Sequence, residues 1–406
     1  MPVIRNGKFR LVVLVSVLVL LLLTLGLTWF LISNKTNKKT ATESSVFTKV
    51  FKLRPPLDIK VNKIAFMRDD QVWLTNPDGS GQEQITKEKR FWQIVGWSPD
   101  GSKLALSGVV DKFVGVERLP DGCDGYYSCA GRDLFYYNLA EKVVKRLTTA
   151  AEGSSFDTLS WAPDSNRYVY VFGYNEIVIG NTQTEKQNTV SLKFGDLMYL
   201  PIYWAPNGEK ILFDMNNDVN NSRTYLILNS KGESLEKIDS SSSTSLTGFR
   251  LQELRWGRDD TQLITSVSKW YPPPSGNYDS DDRIYNMLLL HNKLKSVKQI
   301  AQQKGVNRGF RRILVSPNKN YFGALGTLNS EDYGSNLKLS IFDINGNIIQ
   351  ENITKEVGTN LRSFSWSPRE DMVAVEITLG EVFTVSFNGK ANKILDKATD
   401  PQWSPL

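Results

Sequence analysis

Two kinds of hydrophobic pattern divide the chain. Residues 11–32, LVVLVSVLVLLLLTLGLTWFLI, are 22 positions without a charge. As a helix rising 1.5 Å per residue, this segment would be about 33 Å long, enough to cross a hydrocarbon core of about 30 Å. Trp29 and Phe30 near its end suit an interfacial aromatic belt. A cleavable signal peptide is the competing reading, but its apolar region usually runs only about 7–15 residues. No A-x-A site follows, and no Cys ends the segment for lipid attachment. The pattern therefore predicts an uncleaved transmembrane helix over 11–32, after a short tail of residues 1–10. Residues 33–60 then read as a polar tether, rich at first in Ser, Thr, Lys and Asn.

From residue 61 onward the apolar residues fall instead into short strand-like runs punctuated by a recurring turn. Trp97-Ser98-Pro99-Asp100-Gly101, Trp161-Ala162-Pro163-Asp164-Ser165 and Trp204-Ala205-Pro206-Asn207-Gly208 are the clearest copies. Weaker copies start at Trp256, Val315 and Trp366, and Trp403-Ser404-Pro405 makes a seventh. Successive copies are 64, 43, 52, 59, 51 and 37 residues apart, the spacing of one supersecondary unit with variable loop insertions. In each copy the Trp ends a strand, Pro fixes φ, Asp or Asn caps the turn and Gly tolerates φ > 0. A short apolar strand follows, such as Lys103-Leu104-Ala105-Leu106, then a third and a fourth. Four short antiparallel strands per unit describe a propeller blade.

Residues 63–86 supply the second, third and fourth strands of a unit but no Trp-bearing first strand, whereas Trp403 is a first strand with nothing after it. Joined, they make one shared blade. The expected fold is all-β, a seven-bladed β-propeller over 61–406, with six blades as the alternative if the copy at Trp256 is misread. The segments ITKEKRFWQIVGWSPDGSKLALSG and LRSFSWSPREDMVAVEI resemble the TolB-like propellers with their WSPDGK-type repeats, over roughly residues 60–405. Such propellers serve as binding platforms, enzyme lids and lipoprotein partners, so the resemblance implies architecture more than function.

That resemblance also decides orientation. Arg5, Lys8 and Arg10 precede the apolar helix while Lys35, Lys38 and Lys39 follow it, so the positive-inside rule is nearly balanced. Likeness to secreted propellers implies a cytoplasmic tail at 1–10 and a propeller on the extracytoplasmic side of the cell membrane. In that compartment Cys123 and Cys129, both in LPDGCDGYYSCAG, are expected to form a small-loop disulfide. As a metal site the pair lacks His partners and C-x₂-C spacing.

Charge and chemistry narrow the function. The net charge of +6 is carried by residues 1–62, whose ten bases against Glu43 and Asp58 give +8, leaving the remainder at −2. A weakly acidic folded part argues against nucleic acid as a partner. His291 is the only histidine, in a predicted turn, which removes Ser-His-Asp and His-zinc chemistry. No G-x-S-x-G elbow is present, and Ser98-Pro99-Asp100-Gly101 reads as a structural turn rather than a sialidase motif. No catalytic residue is assigned, and no cofactor is required. Calcium is the ion that the oxygen-rich stretches Asp111 to Asp124, Asp214 to Asp218, Asp279 to Asp282 and Glu331-Asp332 could hold. None of them matches an EF-hand loop, so solvated loops are the simpler reading.

Those stretches fall in connections between second and third strands, which in a propeller share one rim. Tyr126, Tyr127, Trp270, Tyr271, Tyr278 and Tyr333 fall there too. Exposed aromatics on a rigid scaffold suit recognition of a protein, a peptide or a cell-wall glycan. Locally, Tyr126 could instead cover the disulfide, and Pro272 to Pro274 could stiffen a long loop. The expectation is a membrane-anchored binding scaffold. A hydrolase using paired carboxylates in the channel is the alternative.

Overall fold

The computed structural model describes residues 61–111, 131–149, 158–172, 176–192, 201–215, 224–239, 250–270, 283–291, 296–304, 310–326, 337–358 and 361–405. Among these, twenty-eight strands form seven antiparallel four-stranded sheets. The first blade holds β1 (Ile64–Arg68), β2 (Gln71–Thr75) and β3 (Glu83–Gln84). The second holds β4 (Trp92–Trp97), β5 (Lys103–Val109), β6 (Arg132–Asn138) and β7 (Val143–Arg146). The third comprises β8 (Leu159–Trp161), β9 (Arg167–Phe172), β10 (Glu176–Asn181) and β11 (Gln187–Ser191). In the fourth are β12 (Ile202–Trp204), β13 (Lys210–Asp214), β14 (Tyr225–Asn229) and β15 (Ser234–Ile238). The fifth is built of β16 (Arg250–Trp256), β17 (Gln262–Trp270), β18 (Arg283–His291) and β19 (Ser296–Lys304). The sixth has β20 (Arg311–Val315), β21 (Tyr321–Gly326), β22 (Lys338–Asp343) and β23 (Ile348–Gln350). The seventh has β24 (Leu361–Trp366), β25 (Met372–Ile377), β26 (Glu381–Ser386) and β27 (Ala391–Leu395). The last strand, β28 (Thr399–Trp403), pairs with β1 and completes the first blade. Seven blades, not six, are present, and the copy at Trp256 is a true repeat. His291 ends strand β18 rather than lying in a turn.

The repeat explains the turns. In each one the residue after the Trp position donates its N–H back across the hairpin, as Ser98 does to Lys103 O at 2.8 Å and Ala162 to Arg167 O at 2.8 Å. The fourth residue of the Ser-Pro-Asp-Gly segment sits at positive φ, +68° at Gly101 and +74° at Gly208. Ser165, Lys319 and Glu370 take the same position with φ of +60°, +60° and +56°. A side chain there costs about 1–2 kcal/mol relative to glycine, and two of the three recover a contact between turns. Ser165 Oγ accepts from Asp100 N–H at 2.9 Å, and Glu370 Oε1 accepts from Asn318 N–H at 2.7 Å. The exceptions to the motif thus link neighbouring turns.

The tryptophans link the blades. Trp161 is buried among Ala105, Leu134 and Tyr136 of the second blade and Tyr168 and Tyr170 of its own. Its indole N–H donates to Gly96 O at 3.2 Å, the carbonyl just before the equivalent Trp97. The same bond recurs from Trp97 to Gln402 O (2.9 Å), Trp256 to Tyr203 O (3.1 Å) and Trp366 to Leu314 O (3.0 Å). It fails where that preceding residue is serine. The hydroxyls of Ser160 and Ser365 instead accept the backbone N–H of Trp204 (3.1 Å) and Trp403 (2.9 Å). The Trp403 indole turns to Asn62 Oδ1 at 2.8 Å, and the buried Trp204 indole N–H has no hydrogen-bond partner among the described residues.

This contrast is measurable. Trp161→Phe leaves the Gly96 carbonyl without its donor, whereas Trp204→Phe removes a donor that had no acceptor. The volume lost is the same, so denaturant unfolding is expected to show Trp161→Phe more destabilising by about 1 kcal/mol. Equal costs would mean that the repeated indole bond contributes nothing.

Candidate functional site

The innermost strands do not run straight into the ring. Register shifts interrupt the pairing of β4 with β5 at Ile94/Gly96, β16 with β17 at Leu251/Glu253, β20 with β21 at Arg311/Leu314 and β24 with β25 at Leu361/Ser363. The β1–β28 ladder shifts between Ala65 and Met67. Bulges of this kind re-aim side chains near sites. Three of them carry charge: Arg312, Arg362 and Asp400 all line one cavity of about 660 Å³, with Arg68, Asp69, Asp70, Glu376 and Lys397. Four bases face four acids there.

Backbone strain concentrates in the same place. Of the eleven non-glycine residues at positive φ among the described residues, Asp69, Asp70, Arg312, Lys397 and Asp400 line this cavity. Asp69 and Asp70 have an ordinary cause, since they form the two-residue hairpin turn between Arg68 and Gln71. Arg312 and Asp400, both at +49°, occupy bulges on inner strands where glycine or asparagine would fit with less strain.

The carboxylates are linked. Glu376, 4% exposed, accepts from Ser363 Oγ at 2.8 Å and from the Asp400 N–H at 2.9 Å. Half-buried Asp400 is pushed up to about 6 by burial; Arg312 and Gln402 oppose the shift and Glu376 adds to it. The Gln402 amide lies 3.4 Å from both carboxyl oxygens. Arg68 is committed, to Gln82 Oε1 at 2.7 Å and Asp396 O at 3.1 Å, and lies over the Phe66 and Trp73 rings. Arg312 and Arg362 are exposed to the cavity, and neither makes a hydrogen bond or ion pair with a described residue.

A second depression, of about 880 Å³, lies between the first two blades and is internally neutralised. Buried Arg90 bridges Glu88 and Asp111 at 2.8 Å each, and Arg146 bonds Asp111 at 2.8 Å and also pairs with Asp133. Arg90 and then Arg146 hold the Asp111 carboxyl below its usual range. Asp111, named above among the oxygen-rich stretches, is therefore engaged by two arginines. Among the described residues no group of three or more His, Cys, Asp or Glu is placed to hold a metal ion.

Of the aromatics expected to form a binding rim, Trp270 is the last residue of β17, opposite Arg283. Tyr126, Tyr127, Tyr271, Tyr278 and Tyr333 lie outside the described residues, as do Cys123 and Cys129. Topology nevertheless orders the strand ends. The cavity lies where the inner strands begin, and there β5, β17 and β21 end, just before segments 112–130, 271–282 and 327–336. Sequence reasoning missed Arg312, Arg362, Glu376 and Asp400. For Arg312, Arg362 and Asp400 the available signal was a charged residue three or four positions before the Trp position of a first strand; Glu376, on a second strand, had none.

No protein-family model and no curated relative matches the chain. Solved structures do. TolB from Acinetobacter baumannii is 16% identical over 86% of this chain and 68% of that one, with a TM-score of 0.47. The tricorn protease is 11% identical over 84% of this chain, with a TM-score of 0.55, and this chain spans only 34% of it. Hydrazine synthase of Kuenenia stuttgartiensis is 11% identical over 74% of this chain and 94% of that one, at 0.45. The likeness is one of fold.

Titration of the cavity is a direct check on its geometry. Protonated Asp400 is favoured by the fold, so this residue stabilises the native state at low pH and loses that contribution as pH rises through about 6. Asp400→Asn, neutral at every pH and at ease at positive φ, is expected to melt above the parent at pH 7.5. The gap should narrow as pH falls below about 6 and close near the ordinary aspartate value of 3.8. A constant difference across that range would show that Asp400 is not desolvated in the cavity.

Proposed function

We propose that this protein is a TolB-like, membrane-anchored binding platform. Residues 11–32 span the membrane, and the propeller stands on the extracytoplasmic side. The partner is a protein, a peptide or a cell-wall glycan captured on the face where the cavity opens. The observation that carries this reading is the convergence of bulge-borne charges on one cavity, at the same end of the blades as the longest connections. Leu379, 80% exposed in the β25–β26 turn, adds an apolar contact at that end. Rigid blades presenting charged and aromatic side chains from loops are suited to recognition.

Crosslinking in the native membrane tests the platform. Substitution of Tyr126, Trp270, Tyr271 or Tyr278 by alanine is expected to weaken capture by about 2 kcal/mol or more while moving stability by less than about 0.5 kcal/mol. Undiminished capture by all four variants would overturn the assignment of the face. Protease added to intact protoplasts should digest the propeller; complete protection would overturn the orientation.

A second reading rests on one observation, the raised carboxyl of Asp400 beside Glu376, an arrangement that can divide acid and base roles between two carboxylates. It requires turnover of a glycan or peptide that Asp400→Asn abolishes. The platform reading requires none.

A further inference from the structure

The arginines of this propeller divide by what holds them. Arg90 and Arg146 bridge carboxylates, Arg132 is buried on Ser107 Oγ at 2.8 Å and Phe91 O at 3.0 Å, and Arg255 pairs with Glu253 at 2.6 Å. Arg312 and Arg362 are different. They project from bulges at the start of β20 and β24, in adjacent blades, into the same cavity, without a hydrogen-bond or ion-pair partner among the described residues. Arg312 also sits at φ +49°, a conformation in which arginine has no local advantage.

We infer that Arg312 and Arg362 form a carboxylate-recognition site within this cavity, for ligands that present a single carboxylate on a polar body. Guanidinium groups match a planar carboxylate through two parallel N–H donors, and their bonds to it are charge-assisted. The wall opposite selects among anions. Glu376 and Asp400 stand beside the arginines, and the cavity's four bases and four acids leave no formal excess of positive charge. A monoanion can be accommodated by the two guanidiniums, whereas a phosphate dianion meets the carboxylates at greater cost. The Asp400 charge opposes the approach of an anion to Arg312, and removing that charge removes the opposition. This deepens the platform reading by naming what the cavity takes from the partner. Two sources share the chemistry: a sugar acid and the free end of a peptide.

The test uses the full chain in detergent and four probes in calorimetric titration: glucuronate, N-acetylglycine, inorganic phosphate and methylammonium. Saturable binding is expected for one or both carboxylates, the tighter one naming the source, with phosphate weaker and methylammonium silent. Arg312→Gln and Arg362→Gln should each weaken it about tenfold or more, the loss of a charge-assisted bond. Asp400→Asn should strengthen it. Arg258→Gln removes the same charge from a turn at the opposite end of the blades and should change nothing. Should a glutamine variant fail to fold, Arg312→Lys and Arg362→Lys keep the charge without the planar fork and should bind several-fold more weakly than the parent. Absence of saturable carboxylate binding, phosphate binding as tight as carboxylate, or equal weakening by Arg258→Gln would each overturn the site. Partner capture separates the two claims. If the Arg312→Gln/Arg362→Gln double variant captures its partner as the parent does, the inference fails and the platform stands. If the parent captures nothing yet binds glucuronate or N-acetylglycine through these arginines, the platform fails and the site stands.

Discussion

Pairing of β28 with β1 is the constraint on which the rest of this molecule depends. Ile64 lies opposite Trp403 and Ala65 opposite Gln402, and Ser404 donates to Lys63 O at 2.8 Å. The strand reaches three blades at once. Trp403 N–H donates to Ser365 Oγ in the seventh at 2.9 Å, and Gln402 O accepts the Trp97 indole of the second at 2.9 Å. Removing it would expose the inner edge of the first blade, interrupt the chain of indole bonds and uncover apolar surface on both sides. Closure across more than three hundred residues of sequence carries a loop entropy that the chain must recover through buried contacts. Fully buried Ile64, Phe66 and Ala65 and nearly buried Trp403 supply them.

The same strand brings the cavity its acid. Asp400 sits on the β28 side of the shift in the closing ladder, bonded through its N–H to Glu376 of the seventh blade and facing Arg312 of the sixth. Site and closure are therefore one structural event. Strain at Arg312 and Asp400 persists because ladder pairing and indole bonds over-determine the inner strands on either side of each bulge. An isolated blade could relax such a bulge; a closed ring cannot.

How much of this was legible in the sequence follows from what each residue does. The Trp and the Ser-Pro-Asp-Gly turn are local devices, and even copies without the Gly, at Lys319 and Glu370, keep the positive φ. Blade count and terminal closure followed from counting strands between such turns. The cavity did not. Arg312 and Arg362 read as ordinary surface charges until register shifts turn them inward, and a bulge leaves no mark in a period-2 pattern beyond one misplaced residue. Glu376 and Asp400 are 24 residues apart in sequence, and Arg312 lies another 64 before Glu376, so only the closed ring assembles them. The aromatic rim, by contrast, came from assigning the second-to-third strand connections to one face, and of its six members only Trp270 falls among the described residues.

Hydrogen exchange across the closing blade addresses the central claim most directly. In the intact full chain, peptides covering 399–405 and 61–68 should exchange as slowly as one covering 372–377 in β25, because opening β28 requires opening the ring. Rapid exchange of 399–405 beside a protected 372–377 would contradict the account. It would show a terminal strand that frays independently, and with it a cavity in which Asp400 has no fixed place.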